Sequence, residues 1–390
     1  MSAAYIVAAT RTAGGRKGGK LADWHPADLA GQVLDNLIDR TGADPALVED
    51  VIMGCVSQVG QQANNVARGA VLASRLPESV PATSVDRQCG SSQQALQFAA
   101  QAVMSGTQDI VIAAGVESMT RVPMGSSVML HHQAGMGSPM SPRQKERYPN
   151  IQFSQFMGAE LIAEKYGLTK DQLDEFGYHS HQNAIAATQA GAFKDEILPI
   201  TVKDAEGVES IHGADEGIRY DVSLEGMRGV KLLREGGRIT AATSSQICDG
   251  ASGVMVVSEK GLKQLGVEPL ARIHHLTVIG GDPVVMLETP IPATLLALKK
   301  AGMTIDDIDL FEVNEAFASV PVAWLQKTGA DPARLNVNGG AIALGHPLGA
   351  SGTKLMTTLI HALKARGKKW GLQTMCEGGG LANVTIIEAL

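Results

Sequence analysis

The sequence predicts a layered α/β fold built from two similar halves, with a loop domain inserted between parts of the first half. Short apolar runs rich in β-branched residues alternate with helix-like segments through most of the 390 residues. A strand, a small-residue turn and a helix recur near both ends of the chain. A chain of this length can bury a large core without disulfides or metal ions.

The predicted strands are short apolar runs, and the predicted helices lie between them. The strands cover residues 5–9, 50–56, 109–114, 251–258, 307–313, 371–376 and 384–388. The helices cover residues 26–39, 91–104, 292–300 and 352–365. In each half a turn of small residues begins a helix, and a strand follows that helix. The two turns lie at 89–92 and at 349–352. This correspondence indicates a duplicated α/β unit.

The middle of the chain departs from the alternation. It is rich in Met, His, Ser, Gly and Pro and then contains one clear helix signal. Thr169 and Gln172 match a capping box at a helix start, and Gly191 is available as the stop. Residues 200–238 are polar and hairpin-like.

These patterns predict three parts. They are a first half at 1–118 that is completed by 246–270, an inserted loop domain at 119–245, and a second half at 271–390. Because binding residues are often carried on loops by a rigid scaffold, we expect substrate contacts from the inserted domain.

Charge and hydropathy exclude several classes of function. The net charge of −7 provides no broad attraction for nucleic acid. The sequence has no run of about 18 apolar residues, which is the length that a membrane-spanning helix requires. The first ten residues lack the basic start and long apolar stretch of a signal peptide. We therefore expect a cytoplasmic protein that acts on small molecules.

The cysteines are few and widely separated. They are Cys55, Cys89, Cys248 and Cys376, and no Cys-x-x-Cys pair occurs. This spacing argues against a disulfide framework or a zinc ribbon and predicts free thiols and no metal site. Cys55 lies in a strand-like run and is expected to be a buried apolar residue.

Cys89 is the first candidate for chemistry. It precedes Gly90, Ser91 and Ser92 at the start of a predicted helix. Backbone N–H groups and the helix dipole at such a turn favour thiolate, so we expect a lowered pKa and a reactive nucleophile. A quiet buried thiol remains the alternative at this stage.

His346 is the second candidate, because glycines and a proline surround it closely. Gly345, Pro347 and Gly349 fix the backbone and leave little steric cover, which suits a base that touches substrate. The string superficially resembles a phosphate loop. However, Lys354 follows Thr353 in the wrong order for one, which argues against nucleotide hydrolysis.

Two further segments have catalytic character. Cys376 ends an apolar strand and is followed by Glu377 and three glycines, whose amides could form an oxyanion hole. The alternative is a buried cysteine before a glycine turn. Asn314 and Glu315 lie at a strand-to-helix junction, where Asn314 could also be a helix N-cap.

Together the four segments resemble the thiolase family. Its members show a cysteine before a small-residue helix start, an Asn-Glu-Ala-Phe element, a Gly-Gly-x-Ile-Ala-x-Gly-His-Pro-x-Gly-x-Ser-Gly string and a C-terminal Cys-x-Gly-Gly-Gly. All four occur here in that order, at residues 89–92, 314–317, 339–352 and 376–380. The resemblance covers the whole chain and implies the thiolase fold and reversible Claisen chemistry on a 3-ketoacyl-CoA.

The resemblance also implies roles for individual residues. Cys89 would be the acylated nucleophile, His346 its activating base and Cys376 the second acid/base. Asn314 would hold a water that, with His346, stabilises one oxyanion, and the amides of Cys89 and Gly378 would form the other hole. Coenzyme A would be a co-substrate, with no tightly bound cofactor and no metal.

Binding residues follow from the same resemblance. Ser245 matches a position that contacts the pantetheine arm, and Arg219 matches one near the nucleotide end of coenzyme A. The positions that match the acyl and substrate pocket are Met157, Met286, Ala316 and Phe317. The family further implies a homodimer or homotetramer and possible association with other enzymes of fatty-acid β-oxidation.

Several residues depart from those common in the family, and Phe156 departs from the histidine frequent in its short-chain biosynthetic members. They are Ser92, Phe156, Leu287, Thr289 and Glu377. These differences favour a degradative 3-ketoacyl-CoA thiolase, while acyl length and the use of sterol-derived substrates stay open. The alternatives are an acetoacetyl-CoA thiolase that condenses two acetyl-CoA and a non-catalytic thiolase-like lipid carrier or scaffold.

Overall fold

The structure, a computed structural model, describes residues 3–390. Its strands are β1 (Ala4–Thr12), β2 (Gly15–Arg16), β3 (Asp50–Gly54), β4 (Ala82–Val85), β5 (Ile110–Ser118), β6 (Ile197–Leu198), β7 (Ile200–Lys203), β8 (Glu209–His212), β9 (Cys248–Val257), β10 (Ala271–Gly280), β11 (Leu310–Val313), β12 (Trp370–Glu377) and β13 (Leu381–Ala389). All except the β7–β8 hairpin belong to one mixed sheet.

The α-helices lie mainly between these strands. They are α1 (Pro26–Thr41), α2 (Val66–Leu72), α3 (Ser91–Ser105), α4 (Ser126–Gln133), α5 (Pro142–Arg147), α6 (Gln155–Lys165), α7 (Lys170–Gln189), α8 (Leu224–Arg228), α9 (Glu259–Leu265), α10 (Pro290–Ala301), α11 (Ser319–Thr328), α12 (Ala341–Leu344) and α13 (Ser351–Ala365).

The main sheet repeats one pattern of strand pairing in its two halves. The long path through it runs β11-β12-β13-β10-β1-β9-β5-β3-β4. In the first half β3 is parallel to β5, β5 antiparallel to β9, and β9 antiparallel to β1. In the second half β11, β12, β13 and β10 repeat these relations in the same order. The halves meet where β1 pairs antiparallel with β10, so the predicted duplication is confirmed in the topology.

Alternating side chains place the sheet between two layers of helices. In β5, Ile110, Ile112 and Ala114 pack in the cluster that contains the apolar faces of α1 and α2. The intervening Val111 and Ala113 pack in the cluster that contains α3 and α13. This period of two is expected for a strand that is buried on both faces.

The helices α3 and α13 form the centre of the molecule and contact strands of both halves. They approach closely because Gly352 has no side chain: a Cβ there would overlap the backbone nitrogen of Gln93. Ser92 Oγ accepts a hydrogen bond from the Thr353 amide at 3.0 Å. Both contacts involve the first turns of the helices, so the segments that precede them, with Cys89 and His346, lie at the same end of the pair.

The segment between β5 and β9 contains α4 to α8 and the hairpin of β7 and β8. The capping box at Thr169 is present, and α7 ends just before Gly191, which has a φ of +71°. β6 leaves this segment to pair with β1 of the main sheet. No helix within residues 3–390 has both the length and the apolar character needed to cross a bilayer.

The structure contains further elements beyond those predicted, such as α2, β4 and α9, and two other differences have a clear physical cause. The strand predicted at 307–313 begins only at Leu310, because residues 305–307 form a 3₁₀ turn that Asp307 closes by accepting from the Thr304 amide. The long strand β10 was not predicted. Its sequence carries Arg272, His274 and His275, and a register shift between Ile273 and His275 interrupts the alternation of buried residues.

We expect Gly352→Ala to destabilise the protein by about 3 kcal/mol, because the added methyl overlaps a backbone atom that cannot move alone. Gly69→Ala in α2 is the matched control, since its Cβ would lie 3.4 Å from Ala27 Cβ, an ordinary contact. It should stabilise by up to about 1 kcal/mol through helix propensity. Denaturant unfolding followed by circular dichroism measures both, and equal effects would contradict the close approach.

Candidate active site

Cys89 lies in a tightly held turn between β4 and α3. Asp86 accepts a hydrogen bond from the Gln88 amide at 2.7 Å, and Ser91 Oγ donates to the Gln88 carbonyl at 2.6 Å. Gln88 adopts a φ of +50°, a left-handed conformation that is unusual for a residue with a side chain. These contacts fix the position of the partly buried Cys89 thiol at the wall of a cavity.

The pKa of Cys89 is opposite to the expectation from its place near a helix start. Burial, with a smaller contribution from Glu377, raises the pKa of Cys89 to about 12. The thiol precedes the N-cap Gly90 of α3, and loss of water outweighs the effect of backbone N–H groups there. The resting nucleophile is therefore a neutral thiol, and its activation needs a base.

His346 has the properties of that base. Its Nδ1 lies within hydrogen-bonding distance of Ser351 Oγ, whose own proton is donated to the Pro347 carbonyl at 2.9 Å. Nδ1 must then carry the imidazole proton, and this network assigns Nε2 as the acceptor. The Nδ2 of Asn314 donates to Nε2 at 3.3 Å. Burial lowers the pKa of His346 to about 3, so the ring is neutral at physiological pH.

Asn314 faces the site and does not cap a helix. The following helix α11 begins only at Ser319, with Ala318 at its N-cap position. The Oδ1 of Asn314 is buried and has no hydrogen-bond partner among residues 3–390. A buried polar atom of this kind is expected to contact a ligand or water during function.

The backbone around His346 is held by buried charged groups. Lys354 Nζ donates to the carbonyls of Leu344 and Gly345, the latter at 3.0 Å. Gly345 has a φ of +79°, which glycine adopts readily. On the other side of the histidine, Glu117 accepts a hydrogen bond from the Gly349 amide at 2.8 Å. The loop is therefore fixed from both sides.

Cys376 lies near the end of β12 and is fully buried. Burial raises its pKa well above the ordinary value, and the electrostatic effect of Cys89 adds to it. The two thiols are therefore close enough to influence each other. The glycines 378 and 379 follow the strand and line the same cavity as Cys89.

The cavity beside Cys89 has a volume of about 830 Å³. Met286, which has a φ of +61°, and Leu348 form part of its wall near the catalytic segments. The loop segment adds an apolar wall that consists of Met124, Val128, Tyr148 and Phe153. The structure thus brings together the nucleophile candidate, the glycine segment and a space whose walls are apolar in part and polar in part, the latter including Arg143 and Arg147.

The other predicted binding residues fall into three groups. Ala316 accepts a hydrogen bond from the Ser245 amide at 2.9 Å, and Phe317 stacks edge to face on Phe156 at 5.5 Å. Arg219 is exposed at a second cavity of about 210 Å³, which His181 and Ser244 also line. Met157 lies at a third cavity of about 630 Å³. Neither Arg219 nor Met157 lines the cavity of Cys89.

Sequence reasoning missed the residues that hold the catalytic candidates in place. In the sequence, Ser351 is only one of the small residues of the histidine string, and Lys354 indicates only that the string is not a phosphate loop. Glu117 is the second-last residue of β5 and has no local sequence signal. Within residues 3–390 no group of three or more His, Cys, Asp or Glu side chains is arranged to hold a metal ion.

Comparisons with known proteins cover nearly the whole chain. The family model for the thiolase N-terminal domain matches residues 4–260, and the model for the thiolase C-terminal domain matches residues 267–389.

Individual relatives are similar over their full lengths. A steroid 3-ketoacyl-CoA thiolase of Mycobacterium tuberculosis is 53% identical over 392 residues, covering 100% of this chain and 95% of that protein. A 3-ketoacyl-CoA thiolase of Cronobacter sakazakii is 40% identical and is covered completely, as is this chain. The crystal structure of a Bacillus anthracis acetyl-CoA acetyltransferase superposes with a TM-score of 0.91 at 36% identity, covering 100% of this chain and 99% of that one.

We expect Lys354→Met to raise the pKa of His346 toward its ordinary value, because the ammonium charge opposes protonation of the ring. Titration of the imidazole nitrogens by NMR, assigned with a His346→Gln variant, measures this change. Lys364→Met removes an exposed charge from the same helix and is the control. An unchanged His346 titration in Lys354→Met would contradict the electrostatic role.

Proposed function

Because the chain belongs to the thiolase family, we propose that it uses coenzyme A to cleave 3-ketoacyl-CoA into acetyl-CoA and a shortened acyl-CoA. The observation that carries the proposal is the arrangement at the large cavity. A neutral thiol at Cys89 and the Gly378 segment line it, and His346 is held in the base form by Ser351. The reaction belongs to lipid degradation.

In the first half-reaction Cys89 attacks the 3-keto carbon while its proton passes to His346 Nε2. Collapse of the tetrahedral adduct breaks the bond between C2 and C3 and leaves the electron pair on C2. Cys376 gives its proton to C2, and acetyl-CoA departs. The products are an acyl-Cys89 thioester, an imidazolium at His346 and a thiolate at Cys376.

In the second half-reaction Cys376 takes the proton of a free coenzyme A thiol. The coenzyme sulfur attacks the acyl carbonyl, and the expelled Cys89 thiolate recovers its proton from His346. The amides of Cys89 and Gly378 stabilise one oxyanion, and His346 with a water held by Asn314 stabilises the other. The Oδ1 of Asn314, which is buried and has no partner among residues 3–390, supports a bound water at that place.

We further propose that the acyl group is bulky and includes steroid-derived chains. A cavity of about 830 Å³ is within the range that holds drug-sized ligands, and far larger than an acetoacetyl group requires. Its wall of Met124, Val128, Tyr148 and Phe153 suits a large apolar group. The similarity to a steroid 3-ketoacyl-CoA thiolase supports the same class.

The second candidate is the condensation of two acetyl-CoA. It is favoured by the similarity to an acetyl-CoA acetyltransferase at a TM-score of 0.91. A non-catalytic carrier is the third. Homodimer or homotetramer formation, association with other β-oxidation enzymes and a cytoplasmic location stay predictions. The binding of coenzyme A by Ser245 and Arg219 is part of the proposal and needs its own test.

Thiolysis should be measured with free coenzyme A and 3-ketoacyl-CoA substrates from four carbons to long-chain and steroid-derived acyl groups. We expect kcat/KM to be at least about tenfold higher for bulky substrates, because only they bury the apolar wall of the cavity. Activity confined to four carbons would support the second candidate instead. Inactivity on every substrate would support the carrier.

Variants of the two cysteines separate their roles. Cys89→Ser should form no covalent acyl-enzyme from acetyl-CoA, detected by intact-protein mass spectrometry, and should lose at least about 10³-fold in kcat. Cys376→Ser should still be acylated but should fail to turn over, because the proton donor for C2 is missing. Cys55→Ser is the control, since this buried thiol takes no part in the proposed chemistry. Normal turnover in either active-site variant would refute the assigned roles.

A further inference from the structure

Glu377 is a buried acidic residue that the reaction described above does not use. It is the last residue of β12 and follows Cys376 directly. Its side chain is fully buried, which is uncommon for a carboxyl group that lacks an ion-pair partner within 4 Å among the described residues. Burial in this manner raises the free energy of the charged form far more than that of the neutral form.

The carboxyl group packs directly beneath the nucleophile turn. A Cβ at Gly90, the residue after Cys89, would overlap Oε1 of Glu377, so the carboxyl occupies the space that a side chain at 90 would need. The Asn383 amide, oriented with its nitrogen toward the carboxyl, donates to Oε1 at 2.9 Å. The other oxygen, Oε2, is buried and has no partner within residues 3–390.

Several charged or titratable groups surround this carboxyl. Arg87 on the nucleophile turn attracts its charged form, and the Nε of Arg87 is itself buried without a partner among the described residues. A negative charge on Glu377 raises the pKa of both the Cys89 and the Cys376 thiol. Burial outweighs the effect of Arg87 and raises the pKa of Glu377 to about 8.

We propose that Glu377 is a positioning residue that supports the Cys89 turn at Gly90 and controls, through its own protonation, the charge next to both active-site thiols. When neutral, it fills the space below the turn and adds no charge to the burial and to the carboxylates of Glu117 and Asp86, which also disfavour the Cys89 thiolate. When ionised, it places a negative charge beside Cys89 and disfavours a second one there. No bond is formed or broken at Glu377 in this role.

The inference rests on the proposed function for the identity of the nucleophile, but its test does not need turnover. The rate of Cys89 alkylation by iodoacetamide is measured between pH 6.5 and 9.5, with the modified residue identified by peptide mass spectrometry. Glu377→Gln has nearly the same shape and cannot ionise. We expect its rate to equal that of the native protein at pH 6.5 and to exceed it about tenfold at pH 9.5, the change in thiolate fraction for one pKa unit.

Two further variants distinguish charge from shape. Arg87→Gln removes the attracting cation, so the suppression of Cys89 reactivity should begin at higher pH than in the native protein. Glu78→Gln removes an exposed carboxylate that lies outside the site and is the control, for which the ratio to the native rate should not vary with pH. A constant ratio for Glu377→Gln across the same pH range would overturn the proposal.

The native protein alone provides a measurement that does not depend on the folding of a variant. In the native protein, ionisation of Glu377 opposes the Cys89 thiolate as the pH rises. The logarithm of the Cys89 alkylation rate should therefore increase by less than one per pH unit between about pH 7.5 and 9. A slope of one throughout would overturn the proposal. The expected curve in a protein without thiolysis activity would refute the proposed function and leave the role of Glu377 intact.

Discussion

The close packing of α3 against α13 is the constraint on which the site depends. Each helix starts next to one catalytic candidate, and their first turns touch where Gly352 meets the backbone of Gln93. Ser92 adds a hydrogen bond to Thr353 across the same contact. Since both helices also pack on strands from both halves, the distance between the two loops is set by the core and not by the loops.

Burial then determines the chemistry that these loops can perform. It raises the pKa of both active-site thiols and lowers that of His346, so the three groups are neutral at rest. The two thiols and His346 therefore carry no charge before substrate binds. In the proposed reaction negative charge develops on the substrate oxygens and on C2, and the backbone amides of Cys89 and Gly378 and a water held by Asn314 would stabilise the oxyanions.

The sequence predicted the parts of the fold that local pattern determines. Seven strands of the main sheet and the helices α1, α3, α7, α10 and α13 follow from short apolar runs and helix signals, and the glycine-rich strings indicate where the catalytic candidates lie. β10 was not predicted, because Arg272, His274 and His275 interrupt its apolar pattern. Its pairing with β1 and β13 stabilises it as a strand despite these polar residues. The pKa of Cys89 could not be predicted from its turn, because burial and the charge of Glu377 come from segments distant in the chain. Glu117 could not be predicted for the same reason, because the Gly349 amide that it binds is distant in the chain. The partners of Lys354 are nearby carbonyls, but their positions depend on the turn conformation of the histidine string.

The repeated pairing of strands in the two halves also relates the segments that contain Cys89 and His346. In the first half β4 lies parallel beside β3 and leads to Cys89, and in the second half Leu335 bridges Phe311 of β11 in the same sense before the chain reaches His346. The turn before the central helix therefore occupies equivalent positions in both copies. Under the proposed roles, the same place in each half carries a different reacting group, the nucleophile in one half and the base in the other. Two identical halves would carry the same group at both places.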